Sequence, residues 1–538
     1  MSKIIKILLI SLCIIGILSL GVAGAAERPF RTNWSWPTYI DPAVGSDFSS
    51  SVAFVNLYDT LLYPDIKGNP QPHVAKNWEV STDGLAWTFH LRSGINFHDG
   101  TELTAEDVKF SMDRLTTIGE GYAYLFGKVA STEAPDKYTV VFHLKESFGP
   151  FLATLFRLYI VNKDLVVANI KRPGPYGDMG DYGKQYLLTH DAGSGPYIVK
   201  EFPLEEYLLM VINSNYWQPI NLNAPDEYKM IGTCEPVTVR TMMSRRELEI
   251  ADQWQPVESL EALKKIKGVE IGGFFSGSEH YYMMHTRKSP TDDIHLRKAM
   301  AWAMDYKTVV DKIYTGSIQS KGPVNQTLPG ADPKVLQYHR DLDKAMAELK
   351  QSKYYGQLDK YPVVVDWVSI PADNEKVALL FMSCMADIGI EVEIVKTPWG
   401  SIIEEMATEE TSPNIAGVFV APHYPEAGSL LASRYKSESV ATWEQNEWLL
   451  DSKFDAMIED ALKTVDREER FAKYSKIQDY IVDLCPSLFL FDQMEKHAYQ
   501  AAYTDWPASK GEAIPIMGYN FAGRFIKVYS DKRAELLK

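Results

Sequence analysis

The sequence predicts a mixed α/β protein of two or three domains. The chain has 538 residues, ample for more than one large core. Stretches with a period of two, the mark of half-buried strands, recur along it. Amphipathic stretches with helical spacing lie between them, separated by turn residues. We find no internal repeat and no low-complexity tract.

The N-terminus departs from this pattern. Lys3 and Lys6 precede an apolar run from Ile7 to Leu20, and Ala23-Gly24-Ala25 offers a small-residue cleavage site. A secretory signal peptide over residues 1–25 is the expectation, with an uncleaved anchor as the alternative. Cys13 follows Leu12, where lipoprotein signals carry a small residue, so lipidation is not expected. No later segment is apolar enough to span a bilayer, and the mature chain is expected to be exported and soluble. The full chain's formal charge of −16, which becomes −18 without Lys3 and Lys6, argues against nucleic acid as a partner. Cys234, Cys384 and Cys485 are too few and too odd in number for a disulfide framework, and their spacing fits no zinc site. One bridge among them stays open.

Gly84–Arg114 is the most orderly stretch. Asp83-Gly84 forms a turn, because Gly tolerates positive φ and Asp bonds its local backbone. From Ala86 to Arg92, Trp87, Phe89 and Leu91 alternate with Thr88, His90 and Arg92, a half-buried strand. Trp78–Ser81 is its candidate hairpin partner. Asp99-Gly100 turns the chain, and Thr104 opens a helix with Asp107 at the capping-box position. Val108, Ser111, Met112 and Leu115 would share its buried face. His98-Asp99 could be read as a catalytic or metal pair, but a turn histidine beside a turn aspartate is more often structural.

Further along, Asp136–Leu144 alternates as a strand, and Pro173–Gly183 reads as a surface excursion or interdomain connection. Gly193–Tyr197 is a turn feeding a strand to Lys200, and Leu208–Ile212 is another strand. Tyr281–Met284 is a short aromatic strand. Arg297–Tyr314 has helical spacing, with Met300, Met304, Val309 and Ile313 apolar. Val363–Val368 is a β-branched strand, and Ile388-Gly389 ends a helix before a strand to Ile394. Glu468–Val482 is amphipathic, Pro486 ends it, and Ser487–Phe491 is a final apolar strand.

None of H-E-x-x-H, G-x-S-x-G, G-x-G-x-x-G or the P-loop pattern occurs. No carboxylate pair stands out, so a secreted hydrolase is the weaker reading. Instead, ordered motifs run along nearly the whole mature chain. They are Asp41-Pro42, Asn56–Leu62 (NLYDTLL), Pro72–Val80 (PHVAKNWEV), Phe97–Gly100 (FHDG) with Leu103–Val108 (LTAEDV), Gly193–Tyr197 (GSGPY), Asn215–Trp217 (NYW), Asp293–Asp305 (DIHLRKAMAWAMD) and Asp387–Ile394 (DIGIEVEI). In these the chain resembles the peptide- and nickel-type solute-binding proteins, family 5, that serve ABC importers. It departs from them at Ser244–Glu249, where Arg245 and Arg246 replace a small-residue pair, and at Ala421–Glu426, which stands where D-P is common.

The resemblance implies a type II periplasmic-binding-protein-like fold (cluster C), α/β, with two lobes and an inserted subdomain. Lobe I would comprise 26–58, 193–277 and 487–538, the insert 59–192, and lobe II 278–486. It implies no catalysis, cofactor or metal. A peptide-like solute would be captured between the lobes and delivered, by a protein expected to act as a monomer, to permease subunits and their ATPases in the cytoplasmic membrane. The location would be the periplasm or the outer face of that membrane. An oligosaccharide, opine or metal chelate is the alternative cargo. Placed by family order, the ligand-binding candidates are Trp36, Trp254, Tyr282, Trp399, His423, Tyr424 and Glu426, with Trp399 and the His423–Glu426 loop foremost. Core packing competes with ligand contact for each tryptophan, and His423 could instead meet a metal chelate.

Overall fold

The computed structural model describes residues 28–34, 36–233, 235–369 and 371–538. The expected signal peptide, Cys13 and Cys234 lie outside them. Among the described residues no helix is long and apolar enough to cross a membrane, and Cys384 and Cys485 are buried free thiols.

Three larger sheets organise the described residues, beside two two-stranded ones. The first has four strands in the order Pro29–Thr32, Glu227–Ile231, Tyr207–Ile212, Tyr197–Glu201. The second has six, in the order Ile318–Gln319, Ser487–Tyr499, Glu270–Met284, Ile415–Val420, Val363–Val368, Val392–Thr397. The third, antiparallel throughout, runs Ala75–Val80, Ala86–Leu91, Thr139–Leu144, Val129–Asp136.

Two strands of the second sheet are far longer than their apolar cores suggest. Tyr281–Met284 is only the end of a 15-residue strand, and Ser487–Phe491 the start of a 13-residue one. They pair antiparallel along most of their length, with a register break between Phe275 and Glu279. On one side of the break, Glu279–Met283 face Ser487–Asp492; on the other, Glu270–Phe275 face Met494–Tyr499. Tyr499 then bridges to Ile250, which bridges to Thr32 of the first sheet. This strand pair therefore physically joins the first two sheets. Gly277 sits inside the break at φ +88, a conformation open to glycine without strain.

The Gly84–Arg114 reading holds in detail. Trp87, Phe89 and Leu91 are buried and the intervening residues less so. Asp107 Oδ2 accepts from the Thr104 backbone N–H at 2.9 Å, the reverse half of a capping box, and Val108, Ser111, Met112 and Leu115 are buried. Elsewhere the expectations shift. Arg297–Tyr314 is not one helix: Ile294–Ala303 stops at Met304 in extended backbone, and Asp305 caps a new turn by accepting from the Thr308 N–H at 3.0 Å. The strand expected from Asp136 starts at Thr139, and Val129–Asp136 is its hairpin partner.

The family-like motifs converge in space. Asp59, from NLYDTLL, is 2% exposed and takes four hydrogen bonds. Its Oδ1 meets His73 Nε2 (of PHVA) at 2.8 Å and the Tyr216 hydroxyl at 2.8 Å. Its Oδ2 accepts from Ser194 Oγ (of GSGPY) at 2.9 Å and Trp217 Nε1 at 3.0 Å. Burial alone would raise its pKa, but these donors, His73 foremost, hold it below the ordinary value. Arg114, which ends the opening helix motif, forks onto both oxygens of Asp41 at 2.6 Å with both side chains buried. Arg297 donates to Cys485 O and Leu484 O, terminating the helix Arg467–Leu484. His98 bonds Asp191 and, at 3.0 Å, Gly195 O, while Asp99 Oδ2 accepts from Asn162. The His98-Asp99 pair is thus structural.

Candidate functional site

A cavity of about 570 Å³ opens where the two long strands change register. That volume falls in the range of roughly 300–1,000 Å³ usual for small-ligand sites. Ser276 and Ser278 from one strand and Gln493 to Lys496 from the other form its floor. Its walls come from both sides of the crossing: Phe48 and the Gln253–Val257 turn on one, and Tyr314, Asp373, Trp399 and Phe419 on the other.

Local structure explains why these side chains point there. Asp252, fully buried, accepts from the Trp254 backbone N–H at 2.9 Å and from Gln255 and Asn33 side chains, which turns the chain and projects Trp254 outward. Burial raises the Asp252 pKa despite these bonds. Trp254 remains 36% exposed, edge-on to Phe48 with ring centroids 5.9 Å apart. Trp399 starts the helix Trp399–Met406 after the strand Val392–Thr397, is 43% exposed, and meets Trp443 edge-on at 5.1 Å. Tyr314 is fixed by donating to Asn374 Oδ1 at 2.6 Å and by stacking on Phe491 at 4.5 Å. Behind it, His280 packs against Phe419 and Phe491, and burial pushes its pKa down to about 3, so it stays neutral.

The charged groups of the cavity are few. Asp373 pairs with Lys376 at 2.6 Å. Glu495 Oε2 lies 3.6 Å from His497 Nε2. Lys496 donates to Thr315 Oγ1 at 2.7 Å, and burial lowers its pKa, with Glu261 pulling the other way. Gln253 Oε1 is shielded from solvent and accepts no hydrogen bond from the described residues.

Of the candidates read from the sequence, Trp254 and Trp399 line this cavity and five others do not. Glu426 is spent inside the protein: Arg470 Nε and Nη2 fork onto its oxygens at 2.8 and 2.9 Å, and Tyr474 donates at 2.9 Å. Tyr424 is 6% exposed and packs on Phe148. Both ring nitrogens of His423 are engaged, Nδ1 with the Tyr124 hydroxyl at 2.8 Å and Nε2 near Glu444 at 3.1 Å, which leaves no nitrogen for a metal chelate. Tyr282 is core, 1% exposed against Phe381 and over Gly417, where a Cβ would come within 2.6 Å of its ring. Trp36 covers Gly232 so closely that a Cβ there would come within 1.9 Å of its ring. The sequence reading missed Gln253, Tyr314 and Lys496. The last falls beyond the strand read at Ser487–Phe491, inside what proves to be a longer one.

The profile of the bacterial extracellular solute-binding proteins, family 5 Middle, matches residues 69–438. A probable D,D-dipeptide-binding periplasmic protein of Escherichia coli (strain K12) is 28% identical over 478 residues, 85% of this chain and 87% of its own. The structure of a periplasmic binding protein from Helicobacter pylori, in complex with the peptide STSA, superposes with a TM-score of 0.75 at 22% identity, covering 94% of this chain and 100% of that one. An ABC transporter substrate-binding protein from Listeria monocytogenes superposes with a TM-score of 0.80 at 19% identity, over 94% of this chain and 100% of its own.

Proposed function

The chain belongs to the bacterial extracellular solute-binding proteins, family 5, and from that premise we propose that it captures a short peptide-like solute and delivers it to an ABC importer. The observation that carries this reading is the cavity at the strand crossing, walled by aromatic rings from both sides and holding one ammonium and two carboxylates. A zwitterionic peptide needs that combination: apolar walls for side chains, a cation for its carboxylate, an anion for its amine. The Escherichia coli relative's name and the peptide held by the Helicobacter pylori protein point the same way.

The division into lobes belongs to this proposal. One lobe holds the four-stranded sheet on Pro29–Thr32, the other most of the six-stranded sheet, and 59–192 the third sheet. The crossings lie at Phe275–Glu279 and Asp492–Met494, a few residues beyond the boundary expected at 486/487. Closure about such a two-strand connection would bring Trp254 and Trp399 onto one ligand. The ligand stabilises the closed form by its greater affinity for it, and the permease would recognise that form. Location at the periplasm or outer membrane face, and action as a monomer, are parts of the same reading.

The test is mass spectrometry of whatever copurifies with the protein, followed by thermal unfolding with di- and tripeptides. Binding raises the unfolding temperature with the logarithm of peptide concentration, and the peptide is recovered intact. Cleaved peptide would replace this reading with a hydrolase. No shift with any peptide would reject the cargo.

A further inference from the structure

Resting on the lobe division and closure proposed above, we infer that the inserted subdomain is a latch. Ser147 and Gly149 grip the end of the lobe II helix Ser452–Lys463 and favour the closed cleft even before a peptide arrives. Three observations support this. The first is the bonding. A helix leaves its last carbonyls without partners inside the helix. Here Leu462 O accepts from the Gly149 backbone N–H at 2.8 Å, and Lys463 O accepts from Ser147 Oγ at 2.7 Å. The second is fit. Gly149 is buried, and a Cβ there would come within 2.0 Å of Thr464 O and 2.5 Å of Arg470 Nη1. Its φ is not positive, so space rather than conformation demands glycine. The third is anchorage. The buried Arg114–Asp41 fork and the bonds of Asp59 to Ser194 and Trp217 fasten the insert to lobe I. Tyr519 adds to this by donating to Phe156 O at 2.7 Å. When lobe II swings away, the insert stays with lobe I and the seam has to part.

The contacts around the seam rank below it. Glu146 pairs with Lys463 at 2.9 Å, and Arg467 donates to Asn69 Oδ1 at 2.7 Å, both at the surface. Exposed pairs of that kind contribute little in water. Beside the cavity, lobe I reaches lobe II through Glu258 and Lys376, 3.7 Å apart with both side chains mostly exposed. The Gly149 bond is buried and outranks them. Ser147, Gly149 and their acceptors do not line the cavity, so the latch acts on the balance of open and closed forms and not on ligand contacts.

The experiment measures small-angle X-ray scattering of the full mature protein without peptide, as wild type, Ser147→Ala, Gly149→Val and Glu258→Gln. Gly149→Val should enlarge the radius of gyration, Ser147→Ala should enlarge it less, and Glu258→Gln should leave it level. A second readout times the loss of a bound pool of di- and tripeptides of Ala, Leu, Met and Phe after gel filtration. Loss should be about 10- to 100-fold faster in Gly149→Val and about 3- to 10-fold faster in Ser147→Ala, the range of two hydrogen bonds and of one. The amount bound per protein at saturation should not change. A merely structural role would lower that amount and the melting temperature while leaving the loss rate level. If Gly149→Val does not fold, Ser147→Ala decides. An unchanged radius or an unchanged loss rate in the folded seam variants, or opening by Glu258→Gln alone, overturns the inference and leaves the peptide reading standing. A pool that never binds overturns the peptide reading, and an enlarged radius in the seam variants would still establish the latch.

Discussion

The surroundings of Asp59 and the cavity at the strand crossing are built on opposite rules. Around Asp59, residues from four separated motifs meet, and every oxygen of the carboxylate is bonded twice. In the cavity, among the described residues, the Lys496 ammonium forms no ion pair, a glutamine oxygen accepts no hydrogen bond, and two tryptophans keep over a third of their surface exposed. The first arrangement stabilises, since unpaired buried polar groups are costly. The second leaves bonding capacity unmet within the described residues, which on the proposed reading a ligand would meet. The recognisable wording of the chain therefore marks what holds it together, and the capacity to bind lies between those motifs.

The contrast breaks most visibly at Asp59. Asp59→Ala orphans His73, Ser194, Tyr216 and Trp217 and should cost about 3–5 kcal/mol in urea unfolding, while the folded fraction binds peptide as before. Glu426→Gln should behave alike, with a loss of about 3 kcal/mol as the Arg470 pair breaks. Reduced affinity at full stability would return the His423–Glu426 loop to the site. A third comparison uses pH. Burial pushes Glu447 and Glu279 up to about 8, with Arg434 only partly offsetting it. Their folded pKa exceeds the unfolded value near 4.5, so the stability they contribute is full below that value and declines as pH rises toward 8, on the order of 1 kcal/mol per pH unit per group. Unfolding measured from pH 5 to 8 should show Glu447→Gln gaining on wild type as pH rises; a gap that stays constant would contradict the shift. The smallest change in stability belongs to Trp399→Ala. With a ring 43% exposed, its melting temperature should hold, while peptide affinity drops about tenfold, or ~1.4 kcal/mol.

Much of the fold was legible because its signals are local. The alternation of Trp87, Phe89 and Leu91, the Thr104–Asp107 cap and Gly389 each report a conformation decided within a few residues. The long strands were legible only at their apolar ends. Toward the crossing they carry Ser276, Gly277, Ser278 and Gln493, which fall in the register break without a ladder partner, and Lys496, whose strand conformation rests on its pairing with Gly273 rather than on propensity. The same cause hid half the site. Trp254 and Trp399 advertise themselves by residue type, but Lys496 falls beyond the strand read at Ser487–Phe491 and reaches the cavity only through its extension. Glu426 misled for the mirror reason, because Arg470, 44 residues away, consumes it.

The most direct test is hydrogen–deuterium exchange of the protein with and without a bound peptide. The account predicts protection concentrated at the Gln253–Val257 turn, Ser276–Ser278, Tyr314–Ser317 and Gln493–Lys496, with Gly84–Arg114 unchanged. Protection centred on Gly84–Arg114 or on His423–Glu426, with the crossing strands unaffected, would contradict it.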